Sequence, residues 1–269
     1  MGPGSGESVS LDSINIIYLE NNSHNVSTRY QQEVFIAESA RKHVLKPVWE
    51  ATGTVEDELA EVEAEIRAYE RFDERVSDIS VESTAPSPSA PLAVSSRHQS
   101  DSNGIEDVEN AFRETVMSVA HYEREYDETL VEHASEELSP TIGSGFADES
   151  NQSYTPVYRQ LLRSAVQSAV DDRSRLVENF RTELASLERN QQALEDLLAT
   201  CDGPSIPGWY RSKFESRLEE ISRDRQRTVQ RRTPRIRVSG TDFCECFYQD
   251  NEWTYPVLTA VSRFRSIVL

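Results

Sequence analysis

The chain has little cysteine: Cys201, Cys244 and Cys246 are an odd and small number for 269 residues, which excludes a disulfide framework. It has no apolar run near the ~20 residues that span a bilayer. Its first residues, MGPGSGESVSLDS, have neither the basic nor the apolar segment of a secretory signal. On this pattern a cytoplasmic location is expected, and the sequons at Asn21, Asn25 and Asn151 read as chance. There is no His-Glu-x-x-His, no Gly-x-x-x-x-Gly-Lys and no Gly-x-Ser-x-Gly. None of the five histidines has a glutamate three residues before it, so the Glu-x-x-His pairs of a di-metal four-helix site are missing. Cys244 and Cys246, two apart in a predicted helix, point their sulfurs to different faces, where zinc needs four tetrahedral ligands. No cofactor is expected.

Lysine is the other scarcity, with Lys42, Lys46 and Lys213 against 25 arginines. What is abundant is acid: 47 acidic residues against 28 basic give a net charge of −19. Self-repulsion on that scale destabilises a compact state in dilute buffer. At molar salt the Debye length shrinks to about 3 Å and most of the repulsion vanishes. An acidic, lysine-poor, arginine-retaining chain therefore reads as adapted to a salt-filled cytoplasm. With 37% hydrophobic and 8% aromatic residues the core is lean, which suits elongated helical packing better than a thick globule.

The apolar spacing predicts an all-α fold. Residues 1–53 form an N-terminal extension in which INIIYL has the pattern of a short strand. Tyr30 to Trp49 follows as an amphipathic helix that Pro47 and Gly53 end. Thr54 then caps an acidic helix over 54–79, with Val55, Leu59, Val62, Ile66, Tyr69, Phe72 and Val76 on one narrow stripe. Residues 80–104, rich in Ser, Pro and Ala, read as a linker. A single helix is predicted from Ile105 to Leu138, with Phe112, Val116, Val119, Tyr122, Tyr126 and Leu130 on one side. Pro140, Gly143, Gly145 and Pro156 break the chain after it. Val157 to about Thr200 has neither proline nor glycine and keeps a seam at Leu176, Phe180, Leu184, Leu187, Leu194 and Leu198. CDGPSIPG reverses the chain into a second seamed helix through Phe214, Leu218 and Ile221, which makes the pair antiparallel neighbours. From about residue 241, DFCECFY and TYPVLTAVSRFRSIV predict two short helices folded over the hairpin. The expected architecture is an elongated antiparallel helical bundle, or coiled-coil hairpin, over 105–269 with a small C-terminal helical cap.

With the capped acidic helix, FRETVMSVAHYEREYDETL and the closing WTYPVLTAVSRF in view, the chain resembles an uncharacterised all-helical family of haloarchaeal proteins, a domain of unknown function. The resemblance covers roughly residues 55–269. It implies a haloarchaeal source and a helical fold, and supplies no activity or site residues.

Two places stand out as candidate sites. His121 and Glu125, one helical turn apart, have the spacing of a general base and its orienting carboxylate, or of two metal ligands. The plainer role, an edge histidine hydrogen-bonded near the seam, outweighs that one, and Tyr122 and Tyr126 read as packing groups. The second place is RDRQRTVQRRTPRIR, in which Arg223, Arg225, Arg227, Arg231, Arg232, Arg235 and Arg237 crowd around one aspartate. As a phosphate-binding strip, about seven contacts would lose roughly six decades of duplex affinity for a tenfold rise in salt. These arginines are therefore expected to pair with the carboxylates of Glu56 to Asp78, or with a partner's acidic face, and so fix helix register. A non-enzymatic interaction or scaffold protein follows, with a protein partner or self-association through the seams and no membrane. A nucleic-acid-associated regulator using the arginine segment is the alternative.

Overall fold

The computed structural model describes residues 11–81, 103–147, 150, 152–200, 208–232, 243–249 and 251–268, with side chains of the first helix described from residue 38 onward. The expected linker over 80–104 therefore lies almost wholly outside the described residues, as do the CDGPS turn and the Pro234–Gly240 segment. Among the described residues there is no strand, and the chain is all-α. The helices in chain order are α1 (Leu11–Asp78), α2 (Asn103–Thr115), α3 (Tyr122–Glu125), α4 (Leu130–Glu137), α5 (Pro140–Gly145), α6 (Pro156–Thr200), α7 (Gly208–Arg232), α8 (Phe243–Phe247) and α9 (Pro256–Val268). They build two compact units, one from Gly53–Ala185 and one from Met1–Thr52 with Ser186–Leu269.

In the Gly53–Ala185 unit, α1 and α6 run antiparallel: Asp73 pairs with Arg163, Glu65 with Arg173 and Glu63 with Arg181. Most of the predicted stripe is buried, with Leu59 and Ile66 half-buried. Val55, Tyr69, Phe72 and Val76 are fully buried and Val62 nearly so. Full burial of side chains of this size stabilises by about 1.5–3 kcal/mol each as an upper estimate. Phe112 of α2 is the hub of the core, edge-on to Phe72 at 5.1 Å between ring centres. The Tyr154 hydroxyl donates to the Val76 carbonyl at 2.8 Å, satisfying one of the acceptors orphaned where α1 ends.

The single helix expected over 105–138 is instead three, and the reason is local chemistry that competes with the helical stripe. Ser118 Oγ bonds back to the carbonyls of Glu114 and Thr115, and the chain leaves α2 through turns over 116–121. Asp127 takes a left-handed φ of 46°, which no helix accommodates. Thr129 then opens α4 with a complete capping box, its hydroxyl accepting from the Glu132 amide while the Glu132 carboxylate accepts from the Thr129 amide. The apolar residues still converge on one core because the chain folds back on itself. The Pro140 segment, expected as a break, contains α5, started by the Ser139 hydroxyl accepting from the Ile142 amide. Gly143 lets α5 lie directly on α4: a Cβ there would stand 2.7 Å from the Val131 carbonyl oxygen and 2.8 Å from Ser135 Cα. On α6, Leu176, expected on the seam, is 39% exposed.

The helix α1 continues through Pro47 and Gly53, where it was expected to end, and in the other unit Ile14 to Leu19 is helical, not extended. Pro47 removes the amide that would bond the His43 carbonyl. The Arg263 guanidinium of α9 supplies the missing donor, Nη1 to His43 O at 2.9 Å. Trp253 lies between Lys46 and Arg263, with its ring centre 5.3 and 4.7 Å from the two cations. The α6–α7 hairpin is antiparallel, with Ser186 beside Arg225 at one end and Leu197 and Phe214 lining one groove at the other. The short helices α8 and α9 pack against α7, where Phe214 meets Phe264 at 6.1 Å.

Candidate functional site

The most concentrated polar chemistry surrounds Glu65, in the Gly53–Ala185 unit. The Glu65 side chain is 12% exposed and both of its oxygens are occupied. Oε1 accepts from His121 Nε2 at 2.9 Å and from the Tyr126 hydroxyl at 2.9 Å, and Oε2 from Arg173 Nε at 2.6 Å. Burial alone would raise the Glu65 carboxyl. The Arg173 charge and the hydrogen bonds from His121, Arg173 and Tyr126 outweigh it and hold the group below its ordinary value. Because the carboxylate can only accept, His121 Nε2 bears the hydrogen.

Arg173 extends the cluster. Its Nη2 donates to Glu137 Oε2 of α4 at 2.7 Å, and its guanidinium stacks 4.6 Å from the centre of the Tyr69 ring. Burial works against the guanidinium charge, but Tyr69, Glu137 and Glu65 raise its affinity for the proton further. One buried arginine thus joins α6 to α1 and α4. His133, also on α4, is 1% exposed and packs against the rings of Tyr122, Tyr126 and Phe112.

Above this cluster lies an open groove of about 770 Å³, floored by Ala60, Ala64 and Ala120 and lined by Asp57, Glu58, Glu61, Arg124, Glu125 and His121. Burial, then Glu61 and Glu125, push the Glu58 carboxyl above its ordinary value. Arg124 bridges Glu61 at 2.5 Å and Glu125 at 2.7 Å.

His121 and Glu125 stand one helical turn apart, the Glu125 amide donating to the carbonyl of His121, the N-cap of α3, at 3.0 Å. Their side chains part company in the groove: His121 turns inward to Glu65, and Glu125 turns outward to Arg124. Of the arginine segment, Arg223 pairs with Glu219 at 3.5 Å and Arg227 with Asp224 at 3.0 Å, both within α7. Arg225 is 2% exposed, donating to Ser186 Oγ at 3.1 Å and lying 3.6 Å from Cys244 Sγ. Arg223 and Arg227 thus pair along α7 itself, and among the described contacts the carboxylates of Glu56–Asp78 take Arg67, Arg124, Arg163, Arg173 and Arg181, plus His121. The side chains of Arg231 and Arg232, and Arg235 and Arg237 altogether, lie outside the described residues. So do Cys201 and the Cys246 side chain, while Cys244 is a buried thiol.

Glu65, Arg173, Glu137 and His133 were missed by reasoning from sequence, although a signal existed. Glu65 stands three residues after Val62 and four before Tyr69, and Arg173 four after Ala169 and four before Val177, all buried seam positions. A charge in an apolar register announces a buried partner, and Arg225, four after Ile221, obeys the same rule.

Among the described residues no group of three or more His, Cys, Asp or Glu is placed to hold a metal ion, and no helix is long and apolar enough to cross a membrane. Fold and site together define an all-helical domain with a buried carboxylate–arginine cluster. Residues 46–268 match the family model described as a domain of unknown function, DUF7260, and the chain belongs to that family. No curated protein and no solved structure matches it.

Proposed function

We propose that the protein is a non-enzymatic helical interaction or scaffold protein of a halophilic, haloarchaeal cytoplasm. The observation that carries this reading is the saturation of Glu65: the donors of His121, Tyr126 and Arg173 that face it are all engaged with one carboxylate. Groups bound in this way fix the register of α1 against α6 and are not poised to take or give a proton. The acidic surface and the scarcity of lysine supply the salt-dependent setting in which helical faces meet partners, or copies of this chain, through apolar contacts.

Affinity capture with the full-length tagged protein in molar KCl, with bound protein and nucleic acid quantified in one eluate, tests the proposal. A stoichiometric protein partner, or self-assembly alone, supports it. Nuclease-sensitive nucleic acid retained at that salt would replace it with a nucleic-acid-associated regulator using Arg223 to Arg237, and charge reversal of Arg231, Arg232 and Arg235 should then abolish retention.

A further inference from the structure

We infer that His133 is a proton-sensitive latch that fastens α4 to the core of the Gly53–Ala185 unit and releases it in acid. The imidazole is boxed by three aromatic rings, Tyr126 at 4.7 Å, Tyr122 at 5.1 Å and Phe112 at 5.8 Å between centres. Its Nδ1 faces Glu128 Oε2 at 3.2 Å. A carboxylate only accepts, so Nδ1 bears the hydrogen and Nε2 of the neutral ring is a bare acceptor. Nε2 is buried and meets no hydrogen-bond partner. Neutral, the ring leaves one lone pair unmatched inside an apolar box. Protonated, it would bring a second N–H into that box with no acceptor to meet it, and a charge faced by Glu128 on the Nδ1 side alone, a larger penalty.

The groups around the ring divide. Glu128, in the link before α4, and Glu137, one turn further along α4, favour the proton, while Arg173 of α6 opposes it. From α1 come Glu65, whose charge is matched by its three donors, and Tyr69, whose buried hydroxyl is also without a partner. Tyr122 and Tyr126 present ring faces and edges. Burial dominates this set and disfavours the imidazolium.

Beside the apolar packing of Leu130 and Ala134, two polar side chains fasten α4 to the core, through the Glu137–Arg173 ion pair and His133 in its box. An imidazolium at His133 weakens both, because it is expelled from the rings and competes with Arg173 for Glu137. Release would uncover Phe112, Leu130 and Ala134, all buried in the folded unit. The inference is independent of the scaffold proposal, since it concerns folding equilibria alone.

The test is an NMR titration of the full chain with ¹³C-labelled histidine in molar KCl from about pH 8 to about pH 5, a window in which ordinary carboxylates stay ionised, with hydrogen exchange of α4 amides followed in parallel. The expected result is a His133 midpoint below the ordinary histidine value of about 6.5, with α4 protection falling tenfold or more as the ring begins to charge and α9 protection unchanged. A midpoint at or above that value, or α4 protection that ignores the titration, overturns the inference. His133→Phe, which fills the box without a titrating group, should flatten the α4 response. His121→Gln should leave it intact, and a response lost in His121→Gln would assign the sensor to His121 instead. Should His133→Phe fail to fold, the wild-type titration and the His121→Gln control still decide.

Discussion

Glu65 shows how one charged residue is made tolerable inside a lean core. Three donors approach its two oxygens, and the strongest of them, Arg173, is itself held by Glu137 and by the face of Tyr69. Removing one member of such a buried pair leaves the other charged and unmatched. Glu65→Ala should therefore cost about 3–5 kcal/mol, read from urea unfolding at neutral pH. The effect should depend on pH in a definite direction. The folded-state carboxyl lies below its ordinary value of 4.5, so the folded protein binds fewer protons than the unfolded chain in the interval between the two. Its stabilisation is complete above about pH 4.5 and is lost as pH falls through the lower folded value. The gap between the unfolding curves of wild type and Glu65→Ala should narrow in acid, and a gap that widens as the pH falls below 4.5 would sink this account.

Helices continue or stop in this protein according to what their neighbours offer. Pro47 is the clearest case: it lacks the amide that its turn of α1 needs, and Arg263 reaches in from α9 to bond the carbonyl left open. Pro47→Ala restores the intrahelical bond and makes that donor redundant. Arg263→Gln should thus destabilise the wild type more than it destabilises Pro47→Ala, with a coupling of about 0.5–1 kcal/mol in a double-mutant cycle. Equal losses in the two backgrounds would mean that Arg263 acts only through the Trp253 ring. Gly143 makes the opposite demand, for closeness. A methyl group there would meet the Val131 carbonyl and the Ser135 backbone of α4, neither of which can move without distorting the helix. Gly143→Ala should cost about 1–3 kcal/mol, measured as a lowered Tm of the full chain.

At the scale of the whole molecule, charge governs. A net −19 on 269 residues opposes compaction unless it is screened, and Arg75, Arg124, Arg163, Arg175, Arg181 and Arg217 are paired with carboxylates in ion pairs that are largely exposed. Exposed pairs contribute about 0–1 kcal/mol each and weaken in salt, so they do not offset the surplus of acid. Stability should rise from about 0.1 M to molar KCl as the Debye length falls from about 10 Å to about 3 Å. Calorimetric scans across that series check it, and a Tm that is flat or falls with KCl would remove the physical ground for placing the protein in a salt-filled cell.

Periodicity alone determined the helical class, the antiparallel hairpin of α6 and α7, the short C-terminal helices and the buried stripe from Val55 to Val76, because a repeat of three and four residues is a property of the chain that burial merely realises. Composition alone determined the net charge of −19. Only the tertiary structure decided where helices end. Pro47 reads as a stop and is bridged by a residue 216 positions away, while the stretch after Thr115 reads as continuous and is broken so that His121 and Tyr126 can reach Glu65. The partner of His121 was likewise invisible in its own neighbourhood. Glu125 is one nominal turn away, but Glu65, on another element, is the carboxylate that burial and three donors make worth reaching.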